Sequence, residues 1–421
     1  MSVGAVNKST GRSKAMVMIT AVLPCAKPDN AGGRYVQWVV QAAAKYYEVF
    51  AIAPDGPVSH RAMEAGGVPR HKLFGGSPPA SAAAWDQAVV RMLGIAAPVL
   101  PPWRFLAGLL RDQGTLDAIR RADVIDLQWE EYGVLIPFLR RLNPGAQIVC
   151  TFHDVLSQRY RRASEAATSF APRVRWAWAA ALARRSERKM LRQADKIVVL
   201  SQKDAGLLPP GTAEVHVITP PLAVGMGEID RSAPVAGEVL FVGFLARWEN
   251  EEGLLWFLSA VWPRIKTAVP AARLQVAGLG IRSTVSEAAR EAGVELLGFV
   301  PDLEPLYERA SVVVVPVRLG AGVKFKVVDA LVAGVPVVTT TVGAEGIGDR
   351  SWFAGMHDDA EEFANAVLRV LREPAGAGCH SAEVREEALR VYGWEQFDDA
   401  MFHVYGSLLL ESTKKPEKGA L

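Results

Sequence analysis

The sequence predicts an α/β protein built from two Rossmann-like, doubly wound domains, and three observations carry the prediction. Short apolar, β-branched runs alternate with segments of helical period, as in parallel sheets buried on both faces. Glycine loops follow several of those runs, at Gly32 and Gly33, at Gly243, at Gly278 and Gly280, and at Gly320 and Gly322. There the backbone can turn tightly and approach a ligand. The third observation is size: 421 residues, 50% of them hydrophobic and 22% charged, are too many for one core and suit two domains.

Residues 1–14 are polar and basic and are expected to be disordered. Residues 16–23 have the apolar character of a secretory signal, but Pro24 stands where such a signal needs a small residue, so the run is assigned to the first strand. A loop holding Gly32 and Gly33 as a tight turn, a helix over 34–45 and a strand over 49–54 complete the opening unit. The segment 57–115, rich in Pro, Gly and Ala, yields only one helix, over 84–93. Strands over 124–128 and 147–152 end at Trp129, Glu130 and Glu131 and at His153 and Asp154, on the side where open α/β sheets bind ligands. Strands over 194–201 and 215–218 finish the first domain, 16–222, and Pro220 and Pro221 stiffen the hinge.

After a linker over 223–236, the second domain, 237–393, carries strands over 239–243, 273–277, 294–297, 311–316 and 335–341. Its helices are expected over 254–268, 361–372 and 381–391, and Trp394 opens a last helix in the segment 394–412.

A net charge of +2 speaks against a nucleic-acid partner. Cys25, Cys150 and Cys379 lie far apart without metal-ligand spacing, so neither a disulfide framework nor a metal site is expected, and a reducing cytoplasm fits. No apolar run reaches the length of a membrane span. The charge is nonetheless uneven, since residues 158–193 hold ten Lys or Arg against two acids. Arg184, Arg188 and Arg192 recur at helical spacing on a segment that also carries Trp176, Trp178 and Leu182. The stretch 173–192 therefore reads either as an interfacial helix for an anionic membrane or as a buried helix coated by arginine stems.

The most informative stretch is 315–346. An apolar strand gives way to a loop with Gly320 and Gly322, which opens a helix carrying Lys324, Lys326 and Asp329. Free N–H groups at a helix start, with two cations beside them, make a site for a diphosphate, and a carboxylate one to two turns on can accept from a vicinal diol.

This stretch resembles the donor-site signature of retaining GT-B glycosyltransferases of family four. The matching residues are Gly320-Ala-Gly322-Val323-Lys324-Phe-Lys326, the acid at 329, and Gly343-Ala-Glu345-Gly346 downstream. The resemblance implies two Rossmann-like domains with a cleft between them and a C-terminal helix that crosses back to the first. It implies a nucleotide diphosphate sugar as co-substrate, transfer to an acceptor hydroxyl with retention, and neither a cofactor nor a metal.

By the same resemblance, His153, Lys326 and Asp329 form the catalytic group, with His153 beside the transferred sugar and Asp329 either holding the ribose or stabilising the sugar-bearing pocket. Gly32, Gly33, Gly243, Arg247, Gly320, Gly322, Val323 and Lys324 bind the donor, with Gly32 and Gly33 at the mouth of the cleft, Lys324 and Lys326 on the phosphates, and a phosphate contact expected from the Gly243 N–H. Phe299 and Val300 hold the base. Glu130 and Glu131 are set on the acceptor side, although solvated glutamates are the commoner case.

Three departures stand out. Asp329 replaces the usual Glu, Ala321 stands where many members carry a second Glu, and no Lys accompanies Arg247. The implied role is polysaccharide or glycolipid assembly on a sugar or lipid-linked acceptor, in the cytoplasm or peripherally on the inner membrane face. Glycosylation of a small secondary metabolite, a GT-B epimerase and a non-catalytic nucleotide-sugar binder are the alternatives. A dehydrogenase is disfavoured, because neither opening strand leads into Gly-x-Gly-x-x-Gly.

Overall fold

The computed structural model describes residues 14–28, 30–76, 100–224 and 229–406. Its first sheet has seven strands in the order β3-β2-β1-β4-β5-β6-β7. These are β1 (Ala15–Ile19), β2 (Glu48–Pro54), β3 (Arg70–Phe74), β4 (Val124–Gln128), β5 (Gln147–Phe152), β6 (Lys196–Val199) and β7 (Glu214–Val217). The second sheet has six, in the order β10-β9-β8-β11-β12-β13. They are β8 (Glu238–Val242), β9 (Arg273–Ala277), β10 (Glu295–Gly298), β11 (Val312–Val315), β12 (Val337–Thr339) and β13 (Gly355–Met356). The strand pairs are parallel, and β3 and β13 add edge strands that periodicity had not marked.

In each sheet the strand order reverses once, between β1 and β4 and between β8 and β11. Such a reversal parts the loops at the strands' C-terminal ends and leaves a crevice there.

Several boundaries move for local reasons. The first strand stops at Ile19 because the Thr20 hydroxyl donates to the Val22 carbonyl and turns the chain. The first helix is Ala31–Ala43, capped by Asn30, whose side-chain oxygen accepts the Gly33 N–H at 2.8 Å. Gly32 and Gly33 therefore lie in its first turn rather than in a tight turn. The expected helix over 254–268 starts earlier, as Trp248–Trp256, and runs through a π-turn, Phe257–Val261, into Trp262–Ala268. The expected helix over 84–93 and the segments 1–13 and 407–421 lie outside the described residues.

The basic segment forms two helices, Leu156–Ala166 and Phe170–Gln193. The second buries Ala179, Ala183, Glu187 and Met190 on one face. Trp176 stacks on Tyr160 and Arg184 donates to the Leu207 carbonyl, so these two turn toward the protein instead of sharing an outer face with Trp178.

The chain does cross back. Helix Trp394–Met401 and the π-turn Phe402–Gly406 dock on the first domain. Tyr47 donates to the Tyr405 carbonyl at 2.6 Å, and Lys196 donates to the carbonyls of His403 and Val404. One apolar core consequently runs through both domains, joining Tyr35, Val39 and Val149 to Val313, Val327, Phe397 and Tyr405.

Candidate active site

The two crevices face each other. On the first domain's side, Trp129 leaves β4 with φ of 80°, the one non-glycine positive φ among the described residues. That strained turn lays its indole flat on His153, with ring centroids 3.9 Å apart and planes 1° apart. Gly32 makes room for it: a Cβ there would stand 2.6 Å from the Trp129 ring. Tyr35 meets His153 edge-on at 5.1 Å, and the Gln128 side chain bonds its Nε2 at 3.0 Å. Burial pushes the His153 imidazole down to about 3, so the ring is neutral at physiological pH.

The second domain supplies a glycine loop and three cations. Gly320 and Gly322 both take positive φ, 107° and 71°, and a Cβ on Gly322 would come 2.9 Å from the His153 carbonyl. The loop thus packs directly against the histidine across the interdomain boundary. The helix behind it is Phe325–Val332, which begins after the glycines with Lys324 at its N-cap and no side chain capping its first N–H groups. Lys326 packs beside Gly243 and donates to Asn250 at 2.6 Å, while Lys324 donates to the Gly322 carbonyl. Desolvation lowers Lys326 to about 7, helped by Arg247 and Lys324, and lowers Lys324 to about 8. Arg247 is exposed at the start of helix Trp248–Trp256. Val323, next to Lys324, is half-buried.

The Gly243 N–H is not free for a phosphate, because it donates to the Ala277 carbonyl at 3.0 Å and continues the β8–β9 ladder. Phe299 is 59% exposed, so it is no core residue, and Val300 beside it is half-buried. Phe244 and Leu279 are exposed too, on loops tied together by bonds from the Gly278 N–H to the Gly298 carbonyl and from the Leu245 N–H to the Leu279 carbonyl.

Asp329 faces Arg34, which donates to both carboxylate oxygens at 3.2–3.3 Å across the two domains. Burial raises its pKa and Arg34 opposes the rise. Glu130 is buried: it accepts the Leu156 N–H at 3.1 Å, and burial, reinforced by Glu187, holds its pKa well above the carboxylate range. It does not open onto the cleft, contrary to a solvated or acceptor-facing placement. Glu131 is half-buried, with its pKa raised by burial.

Periodicity missed the arginines that bind the domains together. Arg159 donates to Glu249 at 3.1 Å, and Arg162 reaches both the Gly320 carbonyl and Glu345 at 2.7 Å. Lys203 adds a second cation on Glu345 at 3.3 Å. Among the described residues, no group of three or more His, Cys, Asp or Glu is placed to hold a metal.

Two facing Rossmann-like domains, each with its crevice at a strand-order reversal and joined by a returning C-terminal helix, make this a GT-B fold. Residues 236–373, most of the second domain, match the family model of group 1 glycosyl transferases. The chain is 34% identical over 183 residues to an uncharacterized 44.6 kDa protein in the cps region of Klebsiella pneumoniae, covering 41% of this chain and 45% of that protein. It is 26% identical over 232 residues to glycogen synthase of Mycobacterium tuberculosis, covering 51% and 55%. The chain thus spans about half the length of the curated relatives it matches. Similar solved structures include sucrose-phosphate synthase from Thermosynechococcus elongatus, with a TM-score of 0.64 at 19% identity over 94% of this chain and 100% of that one. Anabaena HepE in complex with UDP and glucose gives 0.64 at 14% identity, over 93% and 100%.

Proposed function

We propose that this protein is a glycosyltransferase that moves a sugar from a nucleoside diphosphate sugar to an acceptor hydroxyl with retention of anomeric configuration. The observation that carries the reading is the closure of His153 on the Gly320–Gly322 loop, with Lys324, Lys326 and Arg247 behind it. The diphosphate binds at the uncapped N-terminus of helix Phe325–Val332, and its charge draws protons onto the two lysines. They and the helix dipole stabilise the departing diphosphate, which takes the acceptor proton on the same face, and no metal enters this scheme. The neutral His153 ring offers a lone pair to a sugar hydroxyl. Phe299, with Phe244 and Leu279, forms an apolar platform for the base. The roles of Asp329 toward ribose and of Glu131 toward the acceptor rest on the family resemblance alone.

Melting curves of the purified protein with a panel of nucleoside diphosphates and their sugars, in chelator, test the donor site. One base family should raise the midpoint, since a ligand of the folded state stabilises it. No shift with any base would overturn the reading and favour a protein without donor binding. Product from a shifting donor, formed only when acceptor is added, separates transfer from epimerisation.

The acceptor we assign to polysaccharide or glycolipid assembly, at a membrane surface. Support comes from the outer face of helix Phe170–Gln193, where exposed Phe170, Val174 and Trp178 lead into exposed Arg185, Arg188 and Arg192. No helix among the described residues is long and apolar enough to cross a membrane. Flotation with anionic vesicles is expected to carry the protein, and Trp178→Ser to lower the bound fraction about tenfold. Equal flotation of both proteins would remove this assignment.

A further inference from the structure

His153 is held by a chain of hydrogen bonds that begins in the sheet interior. Asp126 and Gln128 are two apart on β4, so they share a face, and both are fully buried. Asp126 Oδ1 accepts the Tyr405 hydroxyl at 3.0 Å, and its Oδ2 accepts Gln128 Nε2 at 2.7 Å. No cation pairs with this carboxylate among the described residues, an expensive arrangement for an apolar sheet face. Gln128 Nε2 also reaches Thr151 Oγ1 at 3.3 Å, its register partner on β5. With its N–H groups so committed, Gln128 turns only its oxygen to His153 Nε2.

We infer that Asp126 and Gln128 are positioning residues that fix the tautomer of His153, and that Tyr405 from the returning C-terminal segment orients Asp126 for the task. The acceptor oxygen of Gln128 obliges Nε2 to carry the ring proton. Nδ1, which has no partner among the described residues, is thereby left as a lone-pair acceptor. Turning the Gln128 amide over would set its oxygen against the Asp126 carboxylate, two acceptors 2.7 Å apart, so the order of donors is enforced from the buried end. The consequence for turnover rests on the proposed transfer reaction; the tautomer does not.

Asp126→Asn reverses the order. Tyr405 still donates to the Asn oxygen, the Asn amide then donates to Gln128 Oε1, and Gln128 presents N–H to His153. The proton must move to Nδ1. The double exchange Asp126→Asn/Gln128→Glu restores it, because the Asn amide donates to one Glu oxygen and His153 Nε2–H to the other.

Long-range proton–nitrogen NMR of the ring at pH 8, assigned by signal loss in His153→Gln, reads the tautomer without substrate. The expected pattern is Nε2–H in the wild type, Nδ1–H in Asp126→Asn and Nε2–H in the double exchange. Retention of Nε2–H in Asp126→Asn, or Nδ1–H in the wild type, overturns the inference. If Asp126→Asn does not fold, Gln128→Leu should show both tautomers, and a single Nε2–H form there is equally fatal. With donor and acceptor, kcat of Asp126→Asn should fall about tenfold, the worth of one hydrogen bond, with donor KM little changed, and recover in the double exchange. Unchanged kcat beside a switched tautomer would remove the positioning role. Absence of wild-type turnover beside the expected spectra would refute the transferase reading instead.

Discussion

Lys326 shows how a buried lysine at the candidate site would trade stability for binding. Its ammonium is lowered to about 7 from 10.5 by burial, so the unfolded chain holds more protons than the folded one between those values. Stability therefore rises with pH across that window and is lost as pH falls toward 7. Lys326→Met is expected to melt higher than the wild type at pH 7, with the difference shrinking toward pH 10 in paired melting curves. The same variant should lose its response to nucleoside diphosphates. Wild-type affinity for a diphosphate should weaken as pH rises from 7 to 9, with proton uptake at pH 8 seen by calorimetry in buffers of different ionisation enthalpy. A pH-independent affinity would separate the lysines from the phosphates.

The loops that shape the site are held by close backbone approach. A Cβ on Gly278 would lie 1.7 Å from the Gly243 carbonyl, where the loops after β8 and β9 meet. Gly278→Ala should therefore destabilise by on the order of 3 kcal/mol and blunt the donor-induced melting shift. A variant with wild-type denaturant midpoint and donor response would contradict this. Much at this scale was legible in the sequence, because strand runs and glycine loops are local patterns; 124–128 and 147–152 match β4 and β5 to the residue. The site itself was legible only in part. Lys324, Lys326 and His153 carry spacing or strand-end signals, whereas Arg34, Arg162 and Trp129 acquire their roles from partners 295, 183 and 24 residues away. No periodicity encodes such a contact. Likewise, nothing in Gly243 itself says that β9 consumes its N–H.

At the scale of the whole molecule, the domains are bridged by Arg34 with Asp329, Arg159 with Glu249 and Arg162 with Glu345. Because these ion pairs border the candidate cleft, they must adjust whenever the cleft opens. Arg162→Ala removes the pair that also grips the glycine loop at Gly320. It should enlarge the radius of gyration in solution scattering and raise donor KM, while costing no more than about 1 kcal/mol of stability, because only a half-buried pair is lost. An unchanged scattering profile would assign closure to the apolar core shared by the domains.

The returning segment has a consequence for biosynthesis. A ribosome releases the first domain's sheet long before it reaches Tyr405, so the nascent β4 carries Asp126 without its hydroxyl donor and Lys196 without the carbonyls it caps. The amino-terminal half should then wait, loosely formed, until the returning segment emerges and docks. Stalled chains ending before residue 394 are expected to remain protease-sensitive throughout, including in the half whose own sequence is complete.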